Sequence, residues 1–154
     1  MIKIMRDRWN KNEQRLREVL AARTDLNRCD YDLLVRLTFE NIFNLDEDKF
    51  SHARLDLESI TTVDNGHYQG TLLFVIPFDT YQPSEYEYIM TYIGYGSCSG
   101  CDALQAAQAW SEGKLTDGQL ADFMLICKDL VCNAIKPYNS GWRNQEDYEI
   151  VEEA

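Results

Sequence analysis

Cys98 and Cys101 are the two residues best placed to do chemistry, in the run YIGYGSCSGCDALQ at residues 92–105. Two intervening residues let a turn bring two sulfurs together. The pair also stands between an expected strand and an expected helix, and a helix N-terminus favours a thiolate. That pattern points to dithiol redox chemistry. Two features oppose it. The preceding strand reads as part of an antiparallel meander, not a βαβ unit, and no proline follows where it would face the thiols. Zinc is a second reading. Cys98 and Cys101 supply two ligands where a structural site takes four. The best further donors are Cys29, His52 and His67. Cys127 and Cys132 are five apart on one helix, about 140° around it, so they cannot chelate one ion together. Zinc is therefore not expected as a resident cofactor.

A third reading is a small anionic ligand at residues 94–101. Gly94, Gly96 and Gly100 permit a cradle, and Ser97 and Ser99 offer hydroxyls. The spacing matches neither the dinucleotide fingerprint nor the P-loop, and no lysine follows. The fourth reading asks least of the residues, and it is the expectation adopted. Glycines turn the chain, Ser97 or Ser99 caps the helix, and the two cysteines fill tight space under aromatic neighbours. Asp102 then acts as a favourable charge at the helix start. His67 reads as a turn residue and Cys127 as core. Tyr81, Tyr86, Tyr88, Tyr92 and Tyr95 form either a recognition surface or one packed sheet face. The ligand or interaction candidates are Tyr92, Tyr95, Ser97, Cys98, Ser99, Cys101 and Asp102. They make no catalytic constellation, and an enzyme is not the expectation.

The elements around them follow from periodicity. Met5, Trp9, Leu16 and Leu20 recur at helical spacing, with bases opposite. Asp30 is the expected N-cap of a helix over 31–44. Residues 46–53 read as a short turn or loop. Beyond them the period falls to two. Strands are expected over 55–63, 68–76 and 85–95. Asp64-Asn65-Gly66 signals a two-residue hairpin, and Pro77 ends the second strand. In the third, Tyr86, Tyr88, Met90 and Tyr92 line one face, and Ile89, Thr91 and Ile93 the other. A helix over 102–112 ends at Gly113. Thr116 and Gln119 form a capping box for the last helix. Its stripe is Leu120, Phe123, Met124, Cys127, Leu130, Val131 and Ala134, and Pro137 closes it. The fold class is α+β: N-terminal helices, a three-stranded antiparallel meander, then two C-terminal helices. Residues 1–140 read as a single domain and 141–154 as an acidic tail, part of which Trp142 and Tyr148 tack down while the rest is expected to fray.

The net charge is −11. Residues 1–28 carry eight Lys/Arg and four Asp/Glu, a net of +4, which leaves −15 for the rest. Five acids stand in residues 146–154. That balance argues against direct binding to nucleic acid or anionic lipid. It suits a basic protein partner. No apolar run reaches the roughly 18 residues of a membrane helix, and residues 1–22 lack a signal-type core. A cytosolic setting with mostly reduced cysteines is expected.

The segments YQGTLLF (68–74), DTYQPSEY (79–86) and YIGYGSCSGCDALQ (92–105) resemble a group of small proteins encoded by bacteriophages and prophages. The resemblance brings no activity and no catalytic residues. It implies a setting: a phage accessory protein in the bacterial host cytoplasm. Its partner would be a host or phage protein, and counter-defence through an acidic surface would fit.

Overall fold

A computed structural model describes residues 3–44, 54–109 and 113–136. Helix α1, Lys3–Ala22, buries Met5, Trp9, Asn12, Leu16 and Leu20 on one stripe. Its bases hold the end of the next helix. Arg8 donates to the Phe43 carbonyl at 2.6 Å and stacks 4.3 Å above the Phe43 ring. Cations there complement the unpaired carbonyls of a helix C-terminus. Helix α2, Tyr31–Ile42, starts as expected, with the Asp30 carboxylate accepting from Leu33 N–H. It stops short of residue 44 because Asn44 has another task. Its side chain donates to the Leu55 carbonyl at 2.7 Å and accepts from Leu55 N–H at 2.8 Å. One amide thereby imitates a strand pairing across 45–53. Residues 46–53, and His52 with them, lie outside the described residues.

Strands β1 (Thr61–Asp64), β2 (Gly70–Pro77) and β3 (Tyr88–Tyr95) pair antiparallel in the order β1-β2-β3. Together with the flanking helices they make the expected α+β layout. Strand β1 is shorter than residues 55–63, and Leu55 contributes an isolated bridge to Phe78 instead. The hairpin signal marks the right place with a different turn. The connection spans residues 65–69, and Asn65 Oδ1 accepts from Thr71 N–H at 2.7 Å. Among the described residues only Gln82 and Gly113 have positive φ, so Gly66 is not a left-handed turn residue. It is needed for space: a Cβ there would stand 2.0 Å from the Gln69 carbonyl oxygen.

Strand β3 alternates as read. Ile89, Thr91 and Ile93 are buried, while Tyr92 is exposed. The inner row joins Phe74, Ile76 and the last helix, and the Thr91 hydroxyl donates to the Leu130 carbonyl. A short helix α3, Ala103–Gln108, follows the cysteine turn; residues 110–112 lie outside the described residues. Helix α4, Asp117–Cys132, carries the reciprocal Thr116/Gln119 box. Phe123, Met124, Cys127, Leu130, Val131 and Ala134 are buried, and Ile126 joins them; Leu120 is half-buried. Pro137 and the 141–154 tail, with Trp142 and Tyr148, lie outside the described residues. No described helix is long and apolar enough to cross a membrane.

Candidate functional site: the dithiol turn

Strand β3 ends at Tyr95, and seven residues separate it from α3. The chain between them is folded around a buried carboxylate. Asp102 is 5% exposed. Its Oδ2 accepts from Gly96 N–H at 2.9 Å. Its Oδ1 accepts from Gln105 N–H at 2.9 Å and from the Tyr31 hydroxyl at 3.1 Å. The Tyr31 hydroxyl in turn accepts from Leu104 N–H at 3.2 Å. Burial pushes the Tyr31 phenol up to about 12, so it stays a donor to the carboxylate.

This arrangement corrects the expected cap. Asp102 itself is the N-cap of α3, and Ser97 and Ser99 are exposed. A carboxylate has two oxygens, so one group closes the turn on the strand side and on the helix side together. Gly96 completes the closure. A Cβ at that position would stand 2.5 Å from the Cys101 carbonyl oxygen and 2.6 Å from its sulfur. Cys101 and Asp102 N–H both donate to the Cys98 carbonyl, at 3.0 and 2.9 Å.

The sulfurs do not fill packed space, contrary to expectation. Cys98 and Cys101 are both exposed, and their Sγ atoms lie 3.0 Å apart. Backbone bonds and Asp102 supply the compactness of the turn, which leaves both side chains free to point outward. The separation exceeds the roughly 2.05 Å of a disulfide, and either thiol can donate to the other across it. Cys98 N–H donates to the Cys101 sulfur at 3.2 Å, Ser97 Oγ lies 3.9 Å from it, and the Cys101 thiol donates to the Cys98 carbonyl at 3.4 Å. The Cys98 thiol, its backbone N–H and Ser97 hold the Cys101 thiol below the ordinary range. Burial does the opposite elsewhere. It pushes Cys29 up to about 11 and Cys127 up to about 12. Those two thiols stay protonated at neutral pH, and a protonated thiol is a poor nucleophile.

The remaining candidates divide. Tyr95 leads into the turn, and its hydroxyl donates to Asp64 at 2.6 Å, joining the ends of β3 and β1. That bond holds the Asp64 carboxyl below the usual carboxylate range and raises the Tyr95 phenol. Tyr92 is on the opposite sheet face, paired with Leu73 across β2, and is not part of the turn. Cys29 is at the far end of α3, where Gln108 donates to its carbonyl at 2.8 Å. Among the described residues no group of three or more His, Cys, Asp and Glu could hold a metal ion. The N–H groups of Gly96, Cys98, Cys101 and Asp102 are all engaged inside the turn, and a carboxylate lies beneath them. An anion would meet few free amides there. Sequence reasoning missed Gly96 as a contact residue and Tyr31 entirely. Only its place beside the Asp30 cap hinted at Tyr31. No family model, curated protein or solved structure matches this chain.

Proposed function

We propose that the turn is a dithiol–disulfide site, in which Cys98 and Cys101 pass two electrons to an incoming disulfide and close a bond between themselves. One observation carries this reading: two exposed sulfurs 3.0 Å apart in a turn braced from beneath. Bond closure asks for about 1 Å of movement toward the covalent length. The resemblance of residues 68–74, 79–86 and 92–105 to phage-encoded proteins would imply a bacterial cytoplasmic setting, where a dithiol of this kind stays available for exchange. Peptide mapping after treatment with excess cystamine tests it. The expected product has one new bond, Cys98–Cys101, reversed by reductant, with Cys29 and Cys127 still thiols. Stable thiols at both positions under that treatment would remove the reading.

A second reading keeps the expected partner. Val63, Leu73 and Tyr92 form one row across the outer face of the sheet, and Val75, Met90 and Ile135 a second. Val63 is 48%, Tyr92 42% and Ile135 49% exposed. On a chain of net charge −11 such a face fits a basic protein with an apolar centre. Affinity capture from bacterial lysate at rising salt, run beside a Tyr92→Asp/Ile135→Asp variant, separates the outcomes. A basic protein lost both at high salt and in the variant supports the reading. Equal capture by the variant contradicts it.

A further inference from the structure

Resting on the dithiol reading, we infer that the substrate is a positively charged disulfide, carried by a basic protein or peptide, and that Cys101 opens it. Two independent features of the molecule meet at the turn. One is geometric. Cys98 N–H donates to the Cys101 sulfur, and Cys98 Sγ and Ser97 Oγ lie within hydrogen-bond reach of it, which makes the second cysteine of the pair the attacking one. The other is charge. Residues 54–109 hold seven Asp/Glu and one Arg, a net of −6 within a chain of −11; Asp56, Asp79, Glu85 and Glu87 stand at the far end of the sheet, and Asp64 and Asp102 at the end that carries the turn. Asp102 closes the turn from inside, accepting from Gly96 N–H. Asp64 is held at the sheet end by Tyr95, the last residue of β3. A disulfide bearing carboxylates approaches against that field, and one bearing amines or guanidinium groups approaches with it.

The step balances within the two partners. The Cys101 thiolate attacks one sulfur of R–S–S–R′. A Cys101–S–R bond forms, the S–S bond breaks, and R′–S⁻ leaves and takes a proton from water. Cys98 then loses its proton to water and attacks the Cys101 sulfur. The Cys98–Cys101 bond forms and R–S⁻ leaves. The chain has lost two electrons and the substrate has gained two.

Cystamine, a dication, and glutathione disulfide, an anion, are the probes. Each rate with the full chain is divided by the rate of the same disulfide with dithiothreitol, which removes intrinsic reactivity. At about 0.01 M ionic strength, where charges act over roughly 30 Å, a normalised preference for cystamine of about 10-fold or more is expected. At 1 M salt the preference should collapse. Cys98→Ser should trap a cysteamine adduct on Cys101, and Cys101→Ser should react far more slowly through Cys98. Equal or reversed preference at low salt overturns the charge assignment. Faster adduct formation on Cys98 in the Cys101→Ser variant overturns the order of attack. A wild-type chain that closes its disulfide with neither probe overturns the dithiol reading itself, and the inference with it.

Discussion

Asp102→Ala is expected to lower the unfolding free energy by about 3 kcal/mol, combining roughly 1 kcal/mol for a lost N-cap with roughly 2 kcal/mol for buried hydrogen bonds to a charged acceptor. The carboxylate is 5% exposed and accepts from three donors. Removing it orphans Gly96 N–H and Gln105 N–H and leaves the Tyr31 hydroxyl with its buried end unpaired. Asp102→Asn should fall between the variant and the wild type. One amide oxygen can keep the cap and Tyr31, but its NH2 would then face Gly96 N–H, donor against donor. Urea unfolding followed by circular dichroism measures both. A loss under about 1 kcal/mol for alanine would mean that the carboxylate is not the keystone of the turn. Domains of this size hold only about 5–15 kcal/mol in total, so the expected loss is easily resolved.

Gly96→Ala and Gly94→Ala should diverge sharply although the two positions are two residues apart. A Cβ at Gly96 meets backbone atoms of Cys101 at 2.5 and 2.7 Å, and backbone cannot rotate away. The turn must open, at a cost of about 1–3 kcal/mol for overpacking. Opening it also moves Cys101 relative to Cys98, so closure of the disulfide by the same oxidant should slow by about 10-fold or more, as effective concentration falls with misplacement. At Gly94 the nearest atom is the Gly70 carbonyl oxygen at 3.8 Å, an ordinary contact. Alanine there should change stability by less than about 0.5 kcal/mol and leave closure unchanged. Stability and mapped disulfide yield, read side by side on both variants, check the contrast. Similar behaviour of the two would show that the close approach at Gly96 does not govern the sulfurs.

What could be read from the chain beforehand was local. Asp30 three residues before Leu33, and Thr116 three before Gln119, are caps written within one turn of helix, and both form. The alternation of Ile89, Thr91 and Ile93 needs only period two, and it holds. The misreadings share a different cause. Asn65 and Gly66 signalled a two-residue hairpin, but a five-residue connection stabilised by the Asn65 side chain won. The bond between Tyr31 and Asp102 spans 71 residues, and no local pattern announces it. The same blindness affected the cysteines. In a turn no periodicity says which way a side chain points. Once Asp102 took over the closure, the sulfurs had no packing left to do.

The central claim is settled most directly by equilibrating the full chain in glutathione buffers of defined potential, quenching with acid, and counting free thiols at Cys98 and Cys101 by mass. A single two-electron transition is expected, both thiols vanishing together, with a midpoint between about −270 and −120 mV, the span of exchange-active dithiols. It should be absent from Cys98→Ser and Cys101→Ser. Two thiols that persist across that span, or that titrate separately as mixed disulfides with glutathione, would contradict it.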